Sequence, residues 1–224
     1  MSATVCVIPA LNADGTVGGV IDAIRREVPG VYILGVDDGS TDATRAILRR
    51  LCDRTIEFDR NRGKGAALRA AFAFATGENT ERVLTIDADG QHDPSFAPKL
   101  LAQLSESDIV IGTREIAGTG VPAHRRLANR LSSAAMRAVT RSAVRDSQSG
   151  FRAMRVDVVR AVDARGDRYE FETDFLVRAV HAGFTVSEVT IPTIYGPPSH
   201  FREISDAWRV ARILWSHRAS AFRS

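Results

Sequence analysis

Short apolar runs alternate with helix-period segments through the first half of the chain, and each run stops at polar or glycine-rich residues. A parallel sheet covered by helices has this pattern in sequence. Thr4 to Ile8, Val31 to Val36, Arg82 to Ile86 and Asp108 to Ile111 read as strands. Between them, Thr16 to Val28, Thr41 to Cys52, Gly65 to Ala75 and Pro94 to Leu104 read as helices. Ser40, Thr41 and Asp42 supply capping oxygens for the second of these.

The second half is less regular. Val121 to Thr140 and Phe171 to Ala182 have helical period, Asp146 to Gly150 is a loop, and Thr185 to Ile191 is a strand. Pro192 to Arg202 is loop-like, and Ile204 to His217 is an amphipathic helix with Trp208, Ala211, Leu214 and Trp215 toward one side. A chain of 224 residues with 44% apolar content can bury one full core. The expected organisation is one α/β domain over residues 1–205 and a helical tail over residues 206–224.

A formal charge of +3 does not single out nucleic acid as a partner; it suits a small anion or an anionic membrane surface. Cys6 and Cys52 lack the paired spacing of a zinc site and read as buried reduced thiols. No signal peptide is evident, and no run approaches the roughly 20 apolar residues of a spanning helix. The expectation is a cytoplasmic protein with room for peripheral membrane contact. An interface role and a packing or homo-oligomer role for the tail helix are equally open.

Four polar clusters sit at four strand ends: Pro9-Ala10-Leu11-Asn12, Asp37-Asp38-Gly39-Ser40, Asp87-Ala88-Asp89-Gly90 and Gly112-Thr113-Arg114. Ligands of open α/β sheets bind outside the carboxyl ends of the strands, so these clusters converge on one crevice. Asp87 and Asp89 are the sharpest signal. Two carboxylates so close repel unless a cation neutralises them, and oxygen ligands favour Mg2+ or Mn2+. Gln91 and His92 follow as supporting ligands; the competing reading is a polar turn capping the helix that starts near Pro94. The cluster from Asp37 to Asp42 offers acceptors for a base or ribose, with a ligand role expected for Asp38 and Gly39, and a structural one for Asp42. Lys64, in Arg62-Gly63-Lys64-Gly65, stands with exposed amides where phosphate would meet it, although the spacing is not that of the P-loop.

The ordered series Val7-Ile8-Pro9-Ala10-Leu11-Asn12, Asp37-Asp38-Gly39-Ser40, Asn61-Arg62-Gly63-Lys64-Gly65, Asp87-Ala88-Asp89-Gly90-Gln91-His92 and Ser149-Gly150-Phe151-Arg152 resembles the family 2 glycosyltransferases. Within them it is most similar to the dolichyl-phosphate mannose synthases and related polyprenyl-phosphate sugar transferases, from about residue 4 to about residue 205. The resemblance implies a GT-A-type fold, α/β with a mostly parallel central sheet flanked by helices. It implies Mg2+ or Mn2+ on Asp87, Asp89 and Gln91. A GDP- or UDP-linked sugar would lie against Pro9, Ala10, Asn12, Asp14, Asp38, Gly39, Lys64, Asp87 and Ala88. Arg152, Arg126 and Ser149 would face the phosphate of a polyprenyl acceptor, and Asp89, Arg152 and Arg126 would carry the inverting displacement. Ser199, His200 and Arg202 would close over the diphosphate.

Two features depart from the family pattern. Ala13, with Asp14 one step later, stands where a glutamate is usual, and Tyr195 to Arg202 replaces an arginine-rich closing loop. The arginine supply (Arg125, Arg126, Arg145, Arg152) favours a phosphate acceptor, which needs no general base. Asp146, Glu172 or Asp174 would be the base if the acceptor were instead a hydroxyl of a saccharide or small molecule. A phosphoacceptor signalling module or a non-catalytic nucleotide binder is the rival of another class. A receiver domain would need roughly 120 residues and its acidic pair after the first strand.

Overall fold

A computed structural model of the protein describes residues 3–77, 79–114, 144–168 and 170–192. Among these, the strands β1 (Thr4–Ala10), β2 (Tyr32–Asp37), β3 (Arg54–Glu57), β4 (Arg82–Thr85), β5 (Ile109–Arg114), β6 (Arg152–Arg155) and β7 (Val186–Ile191) form one sheet in the order β3-β2-β1-β4-β6-β5-β7. Pairing is parallel except around β6, which runs antiparallel to both β4 and β5.

β1 is buried along its whole length because both faces are covered. Val5 and Val7 join Ala67, Ala71 and Phe72 of α3 (Lys64–Ala75) and Phe175 of α6 (Glu170–His181) in one core. Cys6 and Ile8, one step out of phase, join Ile21 and Ile24 of α1 (Val17–Glu27) and Leu100 of α4 (Ala97–Ala102) in the other. Each fully buried aliphatic side chain contributes roughly 1.5–3 kcal/mol. The alanines at 67, 71 and 75 recur every four residues and are fully buried, so one face of α3 is made of small side chains. Both cysteines are free thiols; burial pushes both pKa values up, that of Cys52 to about 12.

The elements depart from expectation where local chemistry intervenes. α2 (Thr44–Leu51) begins three residues later than Thr41, because Asp42 Oδ1 accepts from the Thr44 amide and ends the preceding loop there. The segment from Pro94 splits into a 3-10 turn (Pro94–Phe96), α4 and a second 3-10 turn (Gln103–Ser105), with two prolines that donate no backbone hydrogen bond. Three short elements escaped the pattern: β3, β6 and α5 (Val156–Ala161), of four, four and six residues. The expected helices over residues 121–140 and 204–217 and most of the loop over residues 192–202 lie outside the described residues. Among the described residues no helix is long and apolar enough to cross a membrane.

Candidate active site at the carboxyl ends of the strands

The acidic turn continues directly from β4, whose pairing extends to an Ile86 amide that donates to Val7 O. Gly90 takes φ +72, a conformation that favours glycine, and closes the turn. Ala88 is buried, and its carbonyl accepts from Thr16 Oγ1 at 2.7 Å, which pins the turn to the start of α1. Asp89 Oδ1 accepts from the Gln91 amide at 3.0 Å.

The two carboxylates are driven apart electrostatically. Burial would raise Asp87, but the Lys64 ammonium and then His92 outweigh it and hold the carboxyl far below the usual range. Asp89 is raised by burial and next by the negative charge of Asp87. Lys64 Nζ lies 2.6 Å from Asp87 Oδ1 and 3.1 Å from Glu172 Oε1, and His92 Nε2 lies 3.7 Å from Asp87 Oδ2. The His92 ring is buried against Phe151, centroids 5.7 Å apart.

A pair of carboxylates in which one is pushed up by its neighbour's charge is a set of oxygens short of positive charge, and hard oxygen donors suit Mg2+ or Mn2+. The residues therefore fit such an ion as a two-carboxylate anchor. Among the described residues no group of three or more His, Cys, Asp or Glu is placed to hold a metal. The remaining positions would fall to water and substrate oxygens, which is how Mg2+ is commonly bound.

On one side of the crevice, the ends of β1 and β2 are tied to each other. Asn12, the one non-glycine with positive φ among the described residues (+48), accepts from the Thr41 amide at 2.9 Å and donates its own amide to Ser40 Oγ at 3.0 Å. The Ala13 amide donates to Thr44 Oγ1, and the Asp14 amide to Asp42 Oδ2. Asp37 is fully buried on Arg45, 2.7 Å away. On the other side, Arg114 at the end of β5 makes a fork to Asp146, 2.8 Å from Nε to Oδ2, and keeps a quarter of its side chain exposed. The Asp146 charge, followed by that of Asp87 and Asp89, raises its pKa further.

Residues 5–163 match the sequence profile of glycosyl transferase family 2, well over half of the chain. The chain belongs to that family. This family 2 glycosyltransferase is similar to polyprenol monophosphomannose synthase of Mycolicibacterium smegmatis, with 32% identity over 84% of this chain and 76% of the relative. It is also similar to undecaprenyl-phosphate mannosyltransferase of Micrococcus luteus, with 29% identity over 83% of this chain and 81% of the relative. Among solved structures, glucosyl-3-phosphoglycerate synthase of Mycobacterium tuberculosis in complex with Mn2+, UDP and phosphoglyceric acid superposes with a TM-score of 0.78. The identity there is 22%, covering 96% of this chain and 78% of that one. The fold is thus of the GT-A type, as the motif series implied.

In this family 2 glycosyltransferase several expected contacts are turned elsewhere. Arg152 lies in β6, 3% exposed, and donates to the carbonyls of Ser149 (2.8 Å), Ser147 (2.7 Å) and Glu172 (3.2 Å). Ser149 is fully buried and donates to Gly112 O at 2.6 Å. Both were expected to face an acceptor phosphate. They instead brace the loop over residues 147–151: β6, inserted between β4 and β5, carries Arg152 inward, and the bond to Gly112 O holds Ser149. Asp38, expected to meet ribose, is buried with each oxygen on a backbone amide: Arg62 at 2.7 Å and Gly63 at 2.9 Å. Those amides, expected to be open to phosphate, are taken, and the Ala66 amide donates to Asp167 O.

Asp87, Ala88, Asp89, Gln91 and Lys64 do gather at one turn, and Pro9, Ala10, Asn12, Asp14 and Gly39 lie at the adjoining strand ends. Arg126, Ser199, His200 and Arg202 lie outside the described residues. Two contributors to the site carry little signal in the sequence. Arg114 was visible only as the last residue of a strand-end cluster, and Gly150 only as a motif glycine.

Proposed function

We propose that the protein transfers a sugar from a GDP- or UDP-linked donor to a polyprenyl phosphate, with inversion at the anomeric carbon and with Mg2+ or Mn2+. The observation that carries this reading is the pairing of Asp87 and Asp89 at the carboxyl end of β4, with Lys64 bound to Asp87 and the Arg114 guanidinium within reach of the charge of both. The divalent cation, when bound, supplies positive charge against the diphosphate that leaves. Asp87 and Asp89 would hold that ion, with Gln91 in support, and the β1 and β2 ends from Pro9 to Asp14 and at Gly39 would flank the nucleotide.

The acceptor assignment rests on what the candidate bases are doing. Asp146 is held by Arg114, Glu172 by Lys64, and Asp174 by Arg178 at 2.6 Å. A carboxylate locked to a cation is a weak general base, whereas a phosphate monoester arrives already anionic. Arg114 takes the acceptor-anion role first expected of Arg152, since it feels the charge of the acidic turn and, unlike Arg152, retains exposure. The named relatives are a polyprenol monophosphomannose synthase and an undecaprenyl-phosphate mannosyltransferase, which supports the same reading. A lipid acceptor would bring the protein to the cytoplasmic face of a membrane as a peripheral enzyme.

The test is to supply UDP- and GDP-sugars with Mn2+ or Mg2+, offering a short polyprenyl phosphate and 3-phosphoglycerate as competing acceptors. Sugar should appear on the lipid phosphate, and Asp89→Ala should abolish its formation. Product on the glycerate hydroxyl alone would replace the acceptor assignment, and full activity in Asp89→Ala would remove the metal one.

A further inference from the structure

The acidic turn is already served by a cation of the protein's own. Lys64 Nζ bridges Asp87 Oδ1 and Glu172 Oε1 at 2.6 and 3.1 Å. Glu172 is 3% exposed, and its second oxygen, Oε2, has no hydrogen-bond partner among the described residues. A buried carboxylate with an idle oxygen is costly in place and retains capacity to accept more from an ammonium. The backbone that carries Lys64 is locked to the helix that carries Glu172. A Cβ on Gly63 would stand 2.2 Å from Asp167 O, and one on Gly65 would stand 2.6 Å from Phe171 Cβ. Gly150 is packed directly against the Asp87 carboxylate.

Asp87 thus has one oxygen that an ammonium holds now and that a divalent ion would need, while the ammonium has a second carboxylate to retain it. We propose that Lys64 is a resident counter-ion: it occupies Asp87 in the unloaded protein, is displaced when a divalent cation binds there, stays with Glu172, and turns its N–H donors to the diphosphate that accompanies the metal. Lys stands on a flexible four-carbon stem with rotatable donors, so the exchange needs side-chain torsions and no backbone movement. Glu172 is then a positioning residue that acts through Lys64. This exchange rests on the reading of Asp87 and Asp89 as the metal seat.

Crystals of the full chain grown without metal, and with Mn2+ plus UDP or GDP, test it directly. The contact between Lys64 Nζ and Asp87 Oδ1 should open beyond hydrogen-bond range on loading while the contact to Glu172 persists. Lys64 still seated on Asp87 beside bound Mn2+ would overturn the proposal. In solution, Mn2+ titration followed by electron paramagnetic resonance should show Lys64→Met binding Mn2+ about tenfold tighter without nucleotide and gaining less when UDP or GDP is added. Glu172→Gln should bind Mn2+ several-fold more weakly, and that loss should vanish in the Lys64→Met background; a loss that persists undiminished in the double variant counts against the exchange. Should Lys64→Met not fold, the crystals of the unaltered chain decide alone. Wild-type protein that takes up no Mn2+ with either nucleotide would bring down the metal reading itself, and the exchange with it.

Discussion

The backbone of Gly150 lies directly against the carboxylate of Asp87: a Cβ at that position would stand 2.4 Å from each of the two oxygens. The glycine of the Ser149-Gly150-Phe151-Arg152 motif is therefore a matter of space, and the loop it belongs to sets where Asp87 points. Gly150→Ala should move the carboxylate by something on the order of 1 Å and lower kcat/KM roughly 100-fold. The stability cost should be only about 1–3 kcal/mol, as for other overpacked sites. Steady-state transfer kinetics beside a urea denaturation curve check this; unchanged turnover would mean that the contact does not position Asp87.

Arg152 and Arg114 should separate cleanly in mutants. Removing the Arg152 guanidinium takes a buried donor from the carbonyls of Ser147, Ser149 and Glu172 and leaves Lys64 as the cation beside the Glu172 carboxylate, so Arg152→Met should cost about 3–5 kcal/mol of stability. Arg114→Lys keeps a cation beside Asp146 and loses the fork, so it should leave stability within about 1 kcal/mol and raise the KM for the acceptor phosphate about tenfold. Denaturant midpoints and acceptor titrations distinguish the two. An Arg152 variant that folds normally and fails only in acceptor binding would return that residue to the acceptor site.

The ion pair between Asp146 and Arg114 predicts an acid limb. Burial would raise the Asp146 carboxyl, but Arg114 outweighs it and the pKa falls below the usual carboxylate range. A depressed folded-state pKa contributes stability that is present above the unfolded value of about 3.9 and is lost as pH falls through the folded one. The melting temperature should therefore fall on acidification below about pH 4, and Asp146→Asn should flatten that fall. At pH 7 the same variant should be less stable by about 1–3 kcal/mol, a discounted figure because Arg114 is partly exposed. Thermal melts from pH 3 to 7 measure both.

The parallel strands β1, β2 and β4 were legible because they are rich in apolar residues on both faces, whereas β3, Arg54-Thr55-Ile56-Glu57 at the sheet edge, was not: Thr4 to Ile8 needs no partner information to be recognised. The acidic turn was legible because its two carboxylates sit two residues apart at the end of such a run. What spacing could not convey is side-chain direction. Asp37 and Asp38 are neighbours in sequence, yet one is paired with Arg45 and the other is clamped on two amides. Arg152 sits in a strand with two apolar residues, Ala153 and Met154, too few to betray an antiparallel insertion between β4 and β5. Its guanidinium points inward because β6 does, and only the pairing reveals that.

Asp38 offers the last test, because its two hydrogen bonds hold the turn that leads into Lys64. Asparagine fills the same space but presents one oxygen and one NH2, so either the Arg62 or the Gly63 amide must face a donor. Asp38→Asn should cost about 1–3 kcal/mol for that orphaned amide. It should also weaken metal-dependent transfer, since Lys64 follows the turn. The pH dependence has a definite sign. Burial raises the Asp38 carboxyl against the pull of the two amides, so the ionised form is the disfavoured one. Its stability contribution is full below about pH 4, where the unfolded chain is protonated too, and declines as pH rises through the folded value. Asp38→Asn has nothing to titrate there and should trail the wild type most near pH 4 and less at pH 7. A gap in denaturation free energy that instead widens with pH would show that the amide clamp, and not burial, governs this carboxylate.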